Sequence, residues 1–332
     1  MNALLALKTR ADAQPRNDIG RSRFAGILVK LKGWGALTEQ RTTIGGDASA
    51  AASASPRPIW LCADDYGISE SVDKAIRDLL MRGHINATSV MVVAPSFQRA
   101  EAASLKMLSA GTRRFGVGLH LTLTAPFKPL SSGFRPVRGG SFLPLTEMLV
   151  RGTLRLLDGN RLAIEIATQL KAFVTAFGRA PDFVDGHQHV QLFPQVREPL
   201  LEMVKEVAPQ AWVRQCGRVP ALSRGLADRK ALLLDALSRK FRTLAAAHGI
   251  KTNPAFAGTY DFAAAAAGDF AKRFPGFLKG LPPHGVVMCH PGFVDAELER
   301  LDPLTTMRET EYAYLADQGF PDVLRANGVA LA

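Results

Sequence analysis

The amino-acid sequence predicts an α/β fold, a closed or nearly closed (β/α) barrel of about seven strands, and three observations predict it. Beyond residue 57, short apolar runs alternate with longer amphipathic ones, the pattern of parallel strands joined by helices. About seven such units fit the remaining 275 residues, the size of one barrel domain. Residues that carry chemistry stand at the ends of the apolar runs, where a barrel gathers its functional side chains. An open doubly wound sheet is the structural alternative.

Ile59–Ala63 is a compact apolar run and forms the first expected strand. Ser69 is placed to cap a helix whose Val72, Ile76, Leu79 and Leu80 share one face, with Gly83 just past its end. Thr88–Val93 is the second strand, Pro95–Leu108 a helix, and Phe115–Leu123 the third strand, with Gly116 and Gly118 inside it. An insertion follows over 125–159, rich in Gly, Pro and Phe at its start and expected to pack as a loop on the barrel rather than form a sugar-binding rim. Asn160 opens a helix carrying Leu162, Ile166, Leu170, Phe173 and Val174, ended by Gly178. Phe183 starts a fourth strand. Glu198–Val207 is a helix, Ala211–Arg214 a short strand, Ala227–Ala247 and Phe262–Phe274 are helices, and Gly285–Cys289 is the last strand. No internal repeat is present.

With 332 residues, 47% hydrophobic and 21% charged, the chain is neither low-complexity, collagen-like nor wholly disordered. Cys62, Cys216 and Cys289 are far apart with no C-x-x-C, so neither a disulfide framework nor a cysteine zinc site is indicated, and a reducing, cytoplasmic setting is expected. The net charge of +11 raises nucleic acid or a membrane surface as a partner. Its location decides: residues 1–57 hold nine Lys/Arg against four Asp/Glu, leaving 32 against 26 for the rest. Residues 1–57 are therefore expected to be a basic, disordered extension and linker, residues 58–332 a catalytic domain, and nucleic acid not a partner. Lys30 and Lys32 interrupt the apolar Phe24–Val29 too early for a signal sequence; the same stretch offers a weak contact to a lipid surface. No apolar run approaches the ~20 residues of a membrane span.

The strand ends are the informative part. The first runs into Asp64-Asp65-Tyr66-Gly67, and the third reads Gly118-Leu119-His120-Leu121-Thr122. The fourth ends Val184-Asp185-Gly186-His187-Gln188-His189-Val190, and the last runs Met288-Cys289-His290-Pro291-Gly292. Each has a structural explanation when taken singly: a capping aspartate with a turn residue, or a core histidine bonded to backbone. The remaining histidines, His84, His248 and His284, sit at helix ends or loops and are read as structural. One explanation covers the four strand ends together: a divalent metal, zinc or magnesium foremost, held by one aspartate and two histidines with positions left open for water or substrate. A second aspartate beside the ligand is then placed to take a proton from water, and a distal histidine to protonate a leaving group.

These segments, with Phe193-Pro194 after the fourth strand, occur in order over roughly residues 58–331 and resemble the successive motifs of the YdjC-like carbohydrate deacetylases, which include chitooligosaccharide deacetylase and hopanoid-associated relatives. The resemblance implies a distorted (β/α) barrel related to the polysaccharide deacetylase fold and metal-dependent removal of N-acetyl groups from amino sugars. Carried over motif by motif, it makes Asp65, His120 and His187 the metal ligands, Asp64 the base, and His290 the histidine on the far side of the site. Asp185, His189 and Tyr66 are assigned to supporting or substrate contacts, with His189 expected to donate to Asp185 or a backbone carbonyl. Members often have Phe at Tyr66 and another histidine at Gln188 or Gln191, which points to a different sugar. The expected partners are one divalent ion, an acetylated amino-sugar substrate and a second copy in a homodimer. Phosphoester hydrolysis would favour a second metal and more carboxylates than the sequence offers. Glycosidic cleavage needs two carboxylates about 5–10 Å apart across the sugar, which adjacent Asp64 and Asp65 do not supply. A non-catalytic basic surface binder on a degenerate enzyme fold would have a broken Asp-His-His set, and here the set is intact.

Overall fold

β1 (Arg57–Tyr66) is the strand around which the sheet is laid, in a computed structural model that describes residues 55–112, 114–219, 229–260 and 269–332. The predicted extension lies, through residue 54, outside the described residues. β1 pairs in parallel with β2 (Ala87–Val90) and β7 (Val286–Cys289). β3 (Gly116–Leu121), β4 (Phe183–Gly186) and β5 (Trp212–Val213) extend one side, and β6 (Phe256–Ala257) the other, giving the order β5-β4-β3-β2-β1-β7-β6. An order that follows the chain and sets the first strand beside the seventh is that of a curled barrel; a doubly wound sheet would reverse at a switch point. Among the described residues the outer edges meet outside a regular ladder, through a parallel bridge between Val213 and Thr252 and the Phe256 amide donating to the Gly217 carbonyl at 3.1 Å, so the barrel is distorted. An eighth strand, β8 (Val329–Leu331), pairs with Arg57–Ile59 at the start of β1.

The helices follow from local sequence. α1 (Glu70–Arg82) begins where Ser69 accepts a hydrogen bond from the Val72 amide and ends at Gly83, whose φ of 72° suits a residue without Cβ. A π-helical turn over Phe97–Glu101 leads into α2 (Ala102–Ser109), so the helix expected from Pro95 starts irregularly. Within the insertion lies α3 (Leu145–Thr153), absent from the sequence expectation. Phe127, Phe134 and Phe142 of that insertion are buried, and Glu165 of α4 (Gly159–Phe177) accepts bonds from the Leu130 and Ser131 amides, tying the loop down. α5 (Arg197–Val207), α6 (Arg229–Ala247) and α7 (Asp269–Leu278) complete the surround; the predicted starts of the last two, 227–228 and 262–268, lie outside the described residues. α8 (Ala296–Leu301), α9 (Thr306–Ala316) and α10 (Phe320–Ala326) were not foreseen. No described helix is long and apolar enough to cross a membrane.

β3 reads Gly-Val-Gly-Leu-His-Leu, and its alternation explains the interior. Gly116 and Gly118 leave room for rings from other strands: a Cβ on Gly118 would overlap the Phe183 ring. Phe183 stacks on Trp212 at 4.7 Å, and Trp212 meets Trp60 of β1 at 6.1 Å, forming an aromatic floor inside the barrel. Two residues further along β3, β4 and β5, and four along β1, the same inward face carries His120, Asp185, Arg214 and Asp64.

Candidate metal centre

Asp64 and Asp65 would point to opposite faces of a regular strand. They do not, because the register of β1 on β2 shifts between Ala63 and Tyr66 and Asp65 takes a left-handed backbone, φ 69°. Aspartate is among the few residues that tolerate this conformation. Asp65 Oδ1 then lies 3.2 Å from His120 Nε2 and 3.0 Å from His187 Nδ1. The three candidate ligand atoms of Asp65, His120 and His187 all fall within 4.8 Å of one another, and all three residues are buried. Two imidazole nitrogens and a carboxylate oxygen at such separations fit a divalent ion.

His120 is oriented from behind: its Nδ1 is 2.7 Å from Asp185 Oδ1 and 3.0 Å from Ser89 Oγ. A carboxylate on the second ring nitrogen sets the tautomer and leaves Nε2 for an ion. Burial alone would lower the His120 pKa, but Asp185, Asp65 and Asp64 push it up to about 10. A divalent ion would answer the same concentration of negative charge and would displace the proton. His187 is reached by the insertion, whose Phe127 ring stands edge-on to the imidazole at 5.6 Å.

Asp64 is held on its other side. Arg214, fully buried, donates from Nη1 to Asp64 Oδ2 at 2.6 Å and from Nη2 to Oδ1 at 2.8 Å, while Nη2 also lies 2.6 Å from Asp185 Oδ2. Burial pushes the Asp64 carboxyl up, yet Arg214, with His120 behind it, more than offsets this and brings it down to about 2. Cys62, Asp64 and Asp185 form a second cluster of metal-binding residue types, and the Arg214 guanidinium already supplies its positive charge. Burial likewise opposes ionisation of Asp65, and Arg308 with His187 outweighs it, holding that carboxyl well below the usual range.

The backbone N–H of His290 donates to Glu311 Oε2 at 2.5 Å, which anchors the end of β7 to α9. Its imidazole is lowered by burial and feels Asp65, Arg308 and Asp64. His189 is placed differently from the expectation. Gln188 and His189 both have positive φ, 54° and 61°, and this turn sends His187 to Asp65 but His189 to Cys216 Sγ, 3.5 Å from Nδ1. Among the described residues His189 thus bonds neither Asp185 nor a backbone carbonyl; burial, then Arg214, lowers its pKa to about 3. Tyr66 is not brought to the cluster either: past the shifted register its hydroxyl meets the Glu101 carbonyl at 2.9 Å and Arg77 Nη1 at 2.8 Å. Arg214 was visible in the sequence as a charge ending an apolar run, whereas Arg308 and Glu311 gave no signal.

Fold and site together define a distorted (β/α) barrel with a cluster at its strand ends that could hold a metal ion. The chain belongs to the YdjC-like protein family, whose pattern matches residues 58–326. It is 31% identical over 135 residues to a chitooligosaccharide deacetylase of Escherichia fergusonii and 32% identical over 136 residues to one of an Enterobacter species, in each case over 40% of this chain and 50% of the relative. The matched part thus spans about half the length of these curated relatives. Among solved structures, a protein of Enterococcus faecalis V583 provisionally assigned to cellobiose-phosphate cleavage superposes with a TM-score of 0.63 at 20% identity, over 84% of this chain and 97% of that one, a likeness of fold.

Proposed function

We propose that this protein is a metal-dependent carbohydrate deacetylase that hydrolyses the N-acetyl group of an amino sugar. The observation that carries the proposal is the convergence of Asp65, His120 and His187 beside an aspartate, Asp64, pinned by Arg214. The names of the relatives above support the same class of reaction.

Asp65, His120 and His187 would hold a divalent ion, zinc or magnesium, which when bound polarises the acetamide carbonyl and makes water more acidic. Asp64 is the proton acceptor for the attacking water. Arg214 and Ser89, 3.1 Å from Asp64 Oδ1, fix that carboxylate in its ionised form, so it enters the reaction able to accept. His290 donates a proton to the departing amine nitrogen. Burial lowers its pKa and so favours the neutral ring at rest; the proton it passes on is the one that leaves the attacking water through Asp64. Burial of these groups strengthens their electrostatics at the reacting carbonyl.

The test is acetate release from N-acetylglucosamine oligomers and other acetylated amino sugars, with each divalent metal in turn. His120→Ala and His187→Ala are each expected to abolish metal retention and acetate release together. Full activity after the metal has been stripped would overturn the proposal.

A further inference from the structure

The carboxylate of Asp65 is divided between two neighbours. Its Oδ1 faces the imidazoles of His120 and His187, and its Oδ2 accepts a 2.6 Å bond from Arg308 Nη2, contributed by α9 from 243 residues further along the chain. Arg308 is fully buried. Its Nε donates to the Leu304 carbonyl at 2.8 Å and its Nη2 also reaches Asp302 Oδ2 at 3.1 Å, so the guanidinium is fixed from its own side. Its Nη1 has no hydrogen-bond partner among the described residues. The guanidinium thus leaves one buried donor, Nη1, unmet, while Nη2 is shared between Asp65 and Asp302, so its charge is held against the Asp65 carboxylate from a fixed direction.

A carboxylate can offer an ion one oxygen or both. Oδ2 is engaged in a charge-assisted hydrogen bond to a buried guanidinium, and Oδ1 is the oxygen turned toward His120 and His187. A guanidinium is charged at every working pH and shares this carboxylate with any cation that binds it, so it also repels that cation. We propose that Arg308 is a positioning residue of the metal centre: it restricts Asp65 to ligation through Oδ1 and holds metal affinity below what the Asp-His-His set alone would give. One fewer protein donor then reaches the ion, and a coordination position stays free for water or substrate. This inference rests on the metal-dependent reading of the site given above.

Cobalt(II) is the probe, because its visible absorption reports coordination number independently of any reaction. Affinity is measured by competition with a chromophoric chelator for the full chain, Arg308→Met, Arg308→Gln and Arg308→Lys. Arg308→Met is expected to bind cobalt about tenfold more tightly, with weaker absorption per ion as Asp65 supplies a second oxygen. Arg308→Gln, which keeps a donor but no charge, is expected to bind more tightly too and stands in should the methionine variant fail to fold. Arg308→Lys keeps the charge and is expected within about threefold of wild type. Equal or weaker cobalt binding in both uncharged variants, as a purely structural arginine would give, overturns the role of Arg308 alone. Failure of the unaltered protein to take up cobalt overturns the metal centre and this inference with it.

Discussion

The most demanding residue in the site is Asp65. Its left-handed backbone lets two consecutive carboxylates face one cavity, and it is held from three sides by His120, His187 and Arg308. Asp64 has the other task. Asp64→Asn is expected to leave the metal bound, since Asp64 lies outside the Asp-His-His set, while acetate release falls by about 10²–10⁴-fold. Metal analysis beside the rate decides this, because loss of the ion would mean that the two aspartates exchange roles. Glu311 supplies a pH prediction. Burial pushes its carboxyl up to about 7, against the bonds from Tyr260 and the His290 amide and the nearby Arg308. From its ordinary 4.5 up to about 7 the folded protein therefore keeps a proton that the unfolded chain has released, and stability falls as pH rises through that window. Glu311→Gln removes this linkage. Its unfolding free energy relative to wild type is expected to improve by about 3 kcal/mol between pH 4 and pH 8 in parallel denaturant titrations. A difference that does not change with pH would contradict it.

At the scale of elements, β3 does two jobs with one alternation. Gly116 and Gly118 make space for the aromatic floor, and His120, next on the same inward face, enters the cluster above it. Gly118→Ala places a methyl inside the Phe183 ring and is expected to lower stability by about 1–3 kcal/mol. The double variant Gly118→Ala/Phe183→Leu should recover part of that loss in thermal or urea unfolding, since the two residues share one space. Simple additivity of the two losses would show that the floor is not what requires the glycine. α9 is the second element with a double task. Arg308 and Glu311, three residues apart and so on one helical face, reach Asp65 and the His290 backbone. α9 thereby braces both sides of a site whose motifs all lie before residue 293.

At the scale of the whole molecule, an ion held by Asp65, His120 and His187 would staple β1, β3 and the end of β4, strands joined otherwise by short parallel ladders. Ligand binding to the folded state alone stabilises it, by about 2.7 kcal/mol at a free ion concentration 100 times Kd. Added zinc is therefore expected to raise the melting temperature and a chelator to lower it, with neither effect in His187→Ala. An equal shift in that variant would place the ion elsewhere. The basic charge bears less on function at this scale, since nearly half of it falls in residues 1–57.

Much of this was legible in one dimension. Apolar runs marked most of the strands, Ser69 and Gly83 bounded α1, and histidines and aspartates breaking apolar runs marked the strand ends that converge. The two-residue β6 is too short to show a period, and the turn at residues 188–189, which separates His189 from Asp185, depends on backbone angles that composition does not reveal. Local chemistry is written in sequence because a strand end or a helix cap depends on a few adjacent residues. Which charge neutralises which depends on contacts across 150 residues between Asp64 and Arg214, and across 243 between Asp65 and Arg308. The strand–helix alternation and the residue types of the site can be read along the chain; the closure of the sheet and the partner of each charge come only with folding, because burial forces each charge to meet an opposite one wherever the fold places it.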